Sequence, residues 1–331
     1  MAVVDLTAFA LVRHIPLEAG PTAISADPVR KTVHVLTPDN GTVHEIDPVQ
    51  LAVRRKLRVA QRAVSMRTVP DGGAIWILCL EPRQLVKIRL DSFQVQMRVA
   101  LPADPVDFDL SPDGRSGAVS HGAQGSVTFL DLQAGKVRQR AQAGEDTGAL
   151  RFRFDGAELL VADRGRRVVA TLEAATGKAI ADLPVAVKPE NFCFKSDGGE
   201  MFVTGEGLDA VVIVNPYYNE VAETLLAGRG PGAMAVSSSP EYLFVANPPS
   251  GNVTLFNIDT RRAIAVVAVG QEPGFITFTP DGQYALILNR RSGNLAVIRM
   301  AAIVPSRNRF APLFTVVPVG SQPVCAAVLA V

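Results

Sequence analysis

Charged side chains recur at a fixed spacing along the chain and are the residues best suited to chemistry. Arg67, Asp109 and Arg151 follow one another at intervals of 42 residues, and other polar residues fall close to the same register. An arginine binds anionic groups through its planar guanidinium, and an aspartate can serve as a general base. The spacing predicts one polar, ligand-binding lining made of Arg67, Asp107, Asp109, Arg151, Arg153, Asn191 and Lys195.

The same charges allow a second interpretation. Arg67 or Arg151 can pair with Asp107 or Asp109 on a neighbouring repeat, because buried charges in proteins are usually paired. If these four residues instead line an open channel mouth, they favour an enzyme in which an aspartate is the general base and an arginine stabilises the developing negative charge. If Asp109 and Arg151 are instead tied up in salt bridges, that interpretation is to be dropped.

The histidines and cysteines give weaker indications. His121 lies beside a loop, at the position that Asn247 takes in its own repeat, so it faces either a ligand or solvent. His34 and His44 flank one loop, but two histidines without a third ligand do not predict a metal site. Cys193 has no adjacent histidine or aspartate and is interpreted as a small core residue. No catalytic residue, metal or cofactor is predicted.

Composition narrows the possible partners. The 331 residues carry a formal net charge of +1 and show no long basic run, which argues against nucleic acid as a partner. No apolar stretch reaches the length of a membrane span, and the first residues lack the pattern of a signal peptide. Three isolated cysteines do not indicate a disulfide framework. The compartment is left unassigned.

An internal repeat determines the fold prediction. The turn Ser111-Pro112-Asp113-Gly114 returns as Val69-Pro70-Asp71-Gly72 and Thr279-Pro280-Asp281-Gly282, with shorter copies ending at Gly156 and Gly198. Alignment on these glycines gives seven complete units of 42 residues without a gap. The units start near residues 21, 63, 105, 147, 189, 231 and 273.

Each unit contains four short extended runs separated by turns, and no convincing helical period is present. One second-strand column is aliphatic in every unit: Val35, Ile77, Val119, Val161, Val203, Val245 and Ile287. A four-stranded sheet with one apolar face must stack on others, and closing the stack removes its exposed ends. The sequence predicts an all-β, single-domain β-propeller spanning residues 1–331, with four-stranded antiparallel blades.

The ends of the chain decide the number of blades. Residues 1–20 align with the second half of a unit, and residues 323–331 resemble a lone first strand. These segments favour an eighth, incomplete blade that joins the termini, and seven blades is the alternative. The segment Val304 to Pro312 interrupts the period and offers Arg307 and Arg309 as loop residues for binding. A plain surface loop is the alternative.

The phrases Tyr242-Leu243-Phe244-Val245-Ala246-Asn247, Ser250-Gly251-Asn252-Val253 and Val266-Val267-Ala268-Val269-Gly270 resemble the YVTN-type β-propeller repeat. The resemblance covers nearly the whole chain. It implies a prokaryotic surface-layer or periplasmic propeller that acts as a binding module. A periplasmic or extracellular location is expected if the sequence omits an upstream segment, and a cytoplasmic location is the alternative. Lactonase-like enzymes belong to the same wider group of propellers.

The sequence predicts a non-enzymatic, monomeric scaffold that binds a protein, a peptide or a polar small molecule. The alternative is a lactonase-like hydrolase acting on a sugar lactone or cyclic ester.

Overall fold

The computed structural model describes residues 1–303 and 311–330, which form β-strands joined by turns. Two strands come first, β1 (Ala2–Asp5) and β2 (Ala10–His14), and pair as a separate antiparallel sheet. Seven four-stranded sheets follow, each made of four consecutive strands. The predicted all-β class is confirmed, and the chain is a β-propeller with seven blades of four antiparallel strands.

Each blade begins within three residues of a predicted unit start. The first blade comprises β3 (Ala23–Asp27), β4 (Thr32–Thr37), β5 (Thr42–Asp47) and β6 (Ala52–Arg58), and the second comprises β7 (Arg62–Thr68), β8 (Ala74–Glu81), β9 (Gln84–Arg89) and β10 (Gln94–Ala100). The third blade comprises β11 (Phe108–Leu110), β12 (Ser116–Ser120), β13 (Ser126–Asp131) and β14 (Lys136–Gln142), and the fourth comprises β15 (Thr147–Phe152), β16 (Glu158–Asp163), β17 (Val168–Glu173) and β18 (Ala179–Pro184). The fifth blade comprises β19 (Lys188–Phe194), β20 (Met201–Glu206), β21 (Ala210–Asn215) and β22 (Glu220–Leu226). The sixth comprises β23 (Met234–Val236), β24 (Tyr242–Asn247), β25 (Asn252–Asn257) and β26 (Arg262–Ala268). The seventh comprises β27 (Pro273–Phe278), β28 (Tyr284–Asn289), β29 (Asn294–Arg299) and β30 (Leu313–Pro318).

The described chain divides into two compact units. One comprises Met1–Pro16, Cys193–Asn215 and Val221–Val328, and the other is formed mainly by Leu17–Phe192 with Pro216–Glu220. Each unit has its own apolar clusters, such as the one around Phe244 in the first and the one around Phe129 in the second. The single domain expected from the sequence stays a prediction.

The second strand of each blade supplies the most deeply buried column. All seven predicted aliphatic residues, from Val35 to Ile287, have a side-chain exposure of 0%. Burial of one such side chain contributes roughly 1.5–3 kcal/mol, so this column is a large part of each blade's packing energy. The aliphatic second-strand column identified in the sequence is buried in all seven blades.

One backbone hydrogen bond recurs in every blade. The N–H of the residue after the fourth strand donates to the carbonyl of the residue before the third strand, at 2.8–3.0 Å. Examples are Val59 to Gly41 and Ala143 to Gly125, both at 2.8 Å. In the seventh blade the same bond joins Val319 to Gly293, although that blade has eight extra residues between its third and fourth strands. We call this contact the blade-closing bond.

The predicted preference for an eighth blade was wrong, and the seven-blade alternative is correct. The N-terminal residues form only the β1–β2 hairpin, whose ends are joined by hydrogen bonds between Met1 and Ile15. Residues 322–330 carry no strand assignment. Both segments nevertheless pack on the seventh blade, where Leu6, Phe9 and Val328 share an apolar cluster with Leu286. The terminal segments therefore meet through apolar packing, and they do not pair with each other as the strands of an eighth blade.

Candidate functional site

Four of the predicted polar residues meet at the first strands of the second, third and fourth blades. Arg67 lies on β7, Asp109 on β11 and Arg151 on β15, while Asp107 immediately precedes β11. Their neighbours Phe108 and Leu150 are fully buried. Because side chains alternate along a strand, burial of these apolar neighbours turns the charged residues to the other face. We call Arg67, Asp107, Asp109 and Arg151 the Arg–Asp cluster.

Asp107 bridges the two arginines of the cluster. Its Oδ1 lies 3.5 Å from Arg67 Nη2, and its Oδ2 accepts a hydrogen bond from Arg151 Nη1 at 2.9 Å. Arg67 Nε lies 3.5 Å from Asp109 Oδ1, and Asp109 Oδ2 accepts the Phe152 backbone N–H at 2.9 Å. All four carboxylate oxygens have a partner, and two cations balance two anions.

Arg67 is further anchored on the third blade. Its Nε donates to the Phe108 carbonyl oxygen, and its guanidinium carbon lies 5.5 Å from the Phe108 ring centroid. Burial and the nearby Arg151 guanidinium lower the pKa of Arg67, while burial raises the pKa of Asp109 against the opposing effect of the two arginines. A raised carboxyl pKa can mark a functional acid. In Asp109, however, both oxygens are occupied by Arg67 and Phe152.

Arg153 and Lys195 do not join the Arg–Asp cluster. Arg153 is 8% exposed and pairs with Asp155 and Glu158 of its own blade, each at 2.8 Å. Lys195 pairs with Asp197 at 2.9 Å and lies 3.6 Å from Glu241. Both residues immediately follow a first strand, where the turn supplies an acidic partner. Asn191 is half-buried on β19.

His121 is buried, contrary to the expectation of a loop histidine that faces solvent. It is 3% exposed, its Nε2 lies 2.7 Å from Thr128 Oγ1, and its Nδ1 lies 3.2 Å from the Asp104 carbonyl oxygen. Burial lowers its pKa. Asn247 is fully buried at the corresponding position and bonds Thr254 Oγ1 at 2.9 Å. In both blades, the residue in this column hydrogen-bonds a threonine hydroxyl on the third strand.

Asp163 occupies the same column in the fourth blade and accepts more hydrogen bonds. Its carboxylate is fully buried and accepts the backbone N–H groups of Glu145, Asp146 and Gly165 at 3.1–3.2 Å, and it pairs with Arg166. Burial acts to raise the pKa of Asp163, but the hydrogen bonds from Arg166 and the backbone outweigh it and lower the pKa.

Asp163→Asn is expected to lower the free energy of unfolding at neutral pH, because the ionised carboxylate accepts the hydrogen bonds from the backbone and from Arg166. A depressed folded-state pKa gives stability that is present above the unfolded-state value of about 3.9 and is lost as the pH falls through the folded-state pKa. The difference in Tm between wild type and variant should therefore shrink below about pH 4. A difference that stays constant from neutral to acidic pH would show that ionisation of Asp163 is irrelevant.

His34 and His44 face opposite sides of the first blade. His34 is paired with Glu45 across β4 and β5, its Nε2 lying 3.7 Å from Glu45 Oε2, whereas His44 Nε2 lies 3.2 Å from Thr37 Oγ1. Among residues 1–303 and 311–330, no group of three or more His, Cys, Asp or Glu side chains is arranged to hold a metal ion. Cys193 is half-buried beside the apolar cluster around Phe202.

Two predicted residues, Arg307 and Arg309, lie outside the described residues.

Two surface depressions are present near the second and fourth blades. One, of about 640 Å³, is lined by Gln61 and residues 80–83, and the other, of about 310 Å³, includes Glu145, Arg166 and Asp182. Neither includes a residue of the Arg–Asp cluster.

Sequence reasoning missed an exposed aromatic patch. Phe154, Tyr217 and Tyr218 are 45%, 43% and 77% exposed. Arg153 holds their two turns together, since its Nη1 donates to the Pro216 carbonyl oxygen at 3.3 Å and its guanidinium carbon lies 4.6 Å from the Tyr217 ring centroid. A signal was present in the repeat, because Phe154 stands where Pro28, Pro70, Pro112 and Pro280 stand in other units. We call Phe154, Tyr217 and Tyr218 the aromatic patch.

Comparisons with known proteins agree with the fold. No family model matches the chain, and no curated protein matches it. The structure is similar to that of Kuenenia stuttgartiensis hydrazine synthase, with a TM-score of 0.68 and 18% sequence identity over 87% of this chain and 98% of that chain. At this identity the similarity supports the fold alone. No helix among the described residues is long and apolar enough to cross a bilayer.

Proposed function

We propose that the protein is a non-enzymatic binding scaffold whose partner is another protein. The observation that carries this proposal is the aromatic patch, in which three aromatic side chains stay exposed on two turns that Arg153 joins. Tyrosine and arginine are enriched among the residues that dominate protein–protein binding energy. An aromatic patch held in place before binding loses little conformational entropy when it binds.

The pairing within the Arg–Asp cluster supports a scaffold over a hydrolase. A hydrolase needs a base whose lone pair can reach the substrate and a stabilising group aimed at the developing oxyanion. Asp109 and Arg151 are instead engaged in salt bridges and backbone hydrogen bonds. The Arg–Asp cluster acts in this proposal as a rigid tie between three neighbouring blades.

The resemblance to the YVTN-type repeat is consistent with the same proposal, because that family is associated with binding modules. The repeat also offers mild substitutions for a test. Phe154 can be replaced by the proline of the neighbouring units, and Tyr218 by the threonine found at positions 176 and 260. Both replacements remove aromatic surface while keeping residues that the same turns accept elsewhere in the chain.

The double variant Phe154→Pro/Tyr218→Thr is expected to lose the partner that the wild-type protein captures from its native extract. Binding of that purified partner, measured by calorimetry, should weaken at least about tenfold, the usual effect of removing a central aromatic contact. The matched control is Leu226→Thr/Val266→Thr, which removes exposed apolar side chains from two outer strands. Equal binding by both variants would contradict the proposal, as would turnover of a lactone or ester that Asp109→Asn abolishes.

A further inference from the structure

The outer strands of the first three blades carry an uneven charge. Strands β6, β10 and β14 contain eight arginines and lysines and no aspartate or glutamate: Arg54, Arg55, Lys56, Arg58, Arg98, Lys136, Arg138 and Arg140. The outer strands of the next two blades, β18 and β22, contain Asp182, Glu220 and Glu223 and no cation. We call the eight cationic residues the basic edge.

Protection of sheet edges does not account for the basic edge. Charged side chains often prevent outer strands from pairing with other chains. Here β30 has no charged residue and β26 has only Arg262. The pairing of the outer strand also has a register shift in blades 1–4, 6 and 7, including the blades without such charges. Bulges already blunt these edges, so the concentration of cations needs another reason.

The basic edge is continuous from blade to blade. Arg98 on β10 donates to the Val59 carbonyl oxygen, just after β6, at 2.8 Å. Arg55 on β6 donates to the Leu90 carbonyl oxygen of the second blade at 3.4 Å. Strands β10 and β14 contact each other directly. An extended partner can therefore meet all three strands together.

Among the described residues, five of these eight cations form no ion pair within 4 Å, although Lys136 and Arg138 act on the Asp131 carboxylate from farther away. Glu45 pairs with Arg55 and lies 3.8 Å from Arg54, and Glu18 pairs with Lys56. The remaining arginines donate instead to uncharged oxygens: Arg58 to Ala60, Arg98 to Val59, Arg138 to Ala174, and Arg140 to Ser126 and Gln124. These bonds orient the guanidinium groups and leave their positive charge available to a ligand.

The chemistry of the basic edge favours carboxylates on a protein over a nucleic acid. None of the three strands contains an aromatic residue on which a base could stack. The chain as a whole has a formal charge of only +1, so the rest of the surface is net acidic and opposes a long polyanion. Six of the eight cations are arginines, which bind carboxylates bidentately. We propose that the basic edge docks a Glu/Asp-rich segment of a partner protein.

The test uses a fluorescein-labelled peptide of alternating Glu and Ser residues, followed by fluorescence anisotropy at low and high salt. Wild type is expected to bind at low salt, with affinity falling as salt rises. The variant Arg58→Gln/Arg98→Gln/Lys136→Gln removes from each strand one cation without a carboxylate partner among the described residues and should weaken binding about tenfold, from several partly exposed charge contacts. Circular dichroism and Tm establish that this variant is folded.

The matched control is Arg229→Gln/Arg262→Gln/Arg291→Gln, which removes the same charge from exposed positions in other blades. It should bind the peptide as wild type does, and so should Phe154→Pro/Tyr218→Thr, because the basic edge does not rest on the aromatic patch. The proposal is overturned if wild type fails to bind at low salt, if both triple variants lose affinity equally, or if a DNA duplex competes more strongly than the peptide.

Discussion

Gly125→Ala is expected to destabilise the protein by about 3 kcal/mol or more, because it combines backbone strain with a steric clash. Gly125 has φ +63°, a conformation that costs an L-residue about 1–2 kcal/mol. A Cβ at this position would lie within 1.9 Å of the Gly144 carbonyl oxygen. That oxygen belongs to backbone next to the blade-closing bond, so the loop cannot move aside without breaking the contact. Urea unfolding or the change in Tm measures the effect.

Gly72→Ala is the matched control for this substitution. Gly72 has a similar φ of +69°, but a Cβ there meets nothing within 4 Å. It should therefore show only the conformational cost of about 1–2 kcal/mol. Equal destabilisation by the two substitutions would mean that the close approach at Gly125 is relieved by small shifts, and the proposed rigidity of the loop would be wrong.

Asp107→Asn is expected to cost about 2–4 kcal/mol, because it leaves two guanidinium groups facing each other with one carboxylate. The asparagine oxygen can accept from either Arg67 or Arg151, but its NH₂ group then meets the other arginine as a second donor. These side chains are only 21–29% exposed, so solvent screens the repulsion incompletely. Tm and urea denaturation, measured at low and high salt, should show a loss that is partly recovered by salt.

Asp91→Asn provides the control, since Asp91 pairs with Arg89 and both side chains are about half exposed. This substitution should leave the Tm almost unchanged, because exposed ion pairs contribute little to stability. Similar losses in the two variants would contradict the role assigned to Asp107. A normal Tm for Asp107→Asn would show that the Arg–Asp cluster does not hold the blades together.

The sequence predicted the blades well because the repeat itself encodes the packing. An aliphatic residue in all seven units, such as Val35 or Ile287, can only be explained by a buried strand used seven times. The number of blades was harder to predict, since the half-units at the two ends look like pieces of one sheet. Whether such pieces form a ladder depends on backbone pairing, which a pattern of apolar residues does not specify.

The site was predicted only in part. Periodicity placed Arg67, Asp109 and Arg151 on one face, but the ion pairs depend on side-chain rotamers that spacing does not fix. Arg153 stands two residues after Arg151, and its ion pairs with Asp155 and Glu158 of its own blade likewise depend on rotamers. The aromatic patch joins turns more than sixty residues apart, so only comparison of each unit with the consensus turn could have revealed it.

The blade-closing bond has a consequence for redesign of the chain. In the seventh blade, the bond between Val319 and Gly293 spans eight more residues than in the other blades and keeps the usual length of 2.9 Å. The turn between the third and fourth strands is therefore the natural position for grafting a foreign peptide. A loop added there lengthens only the path to the outermost strand, and the three inner strands of the recipient blade keep their pairing.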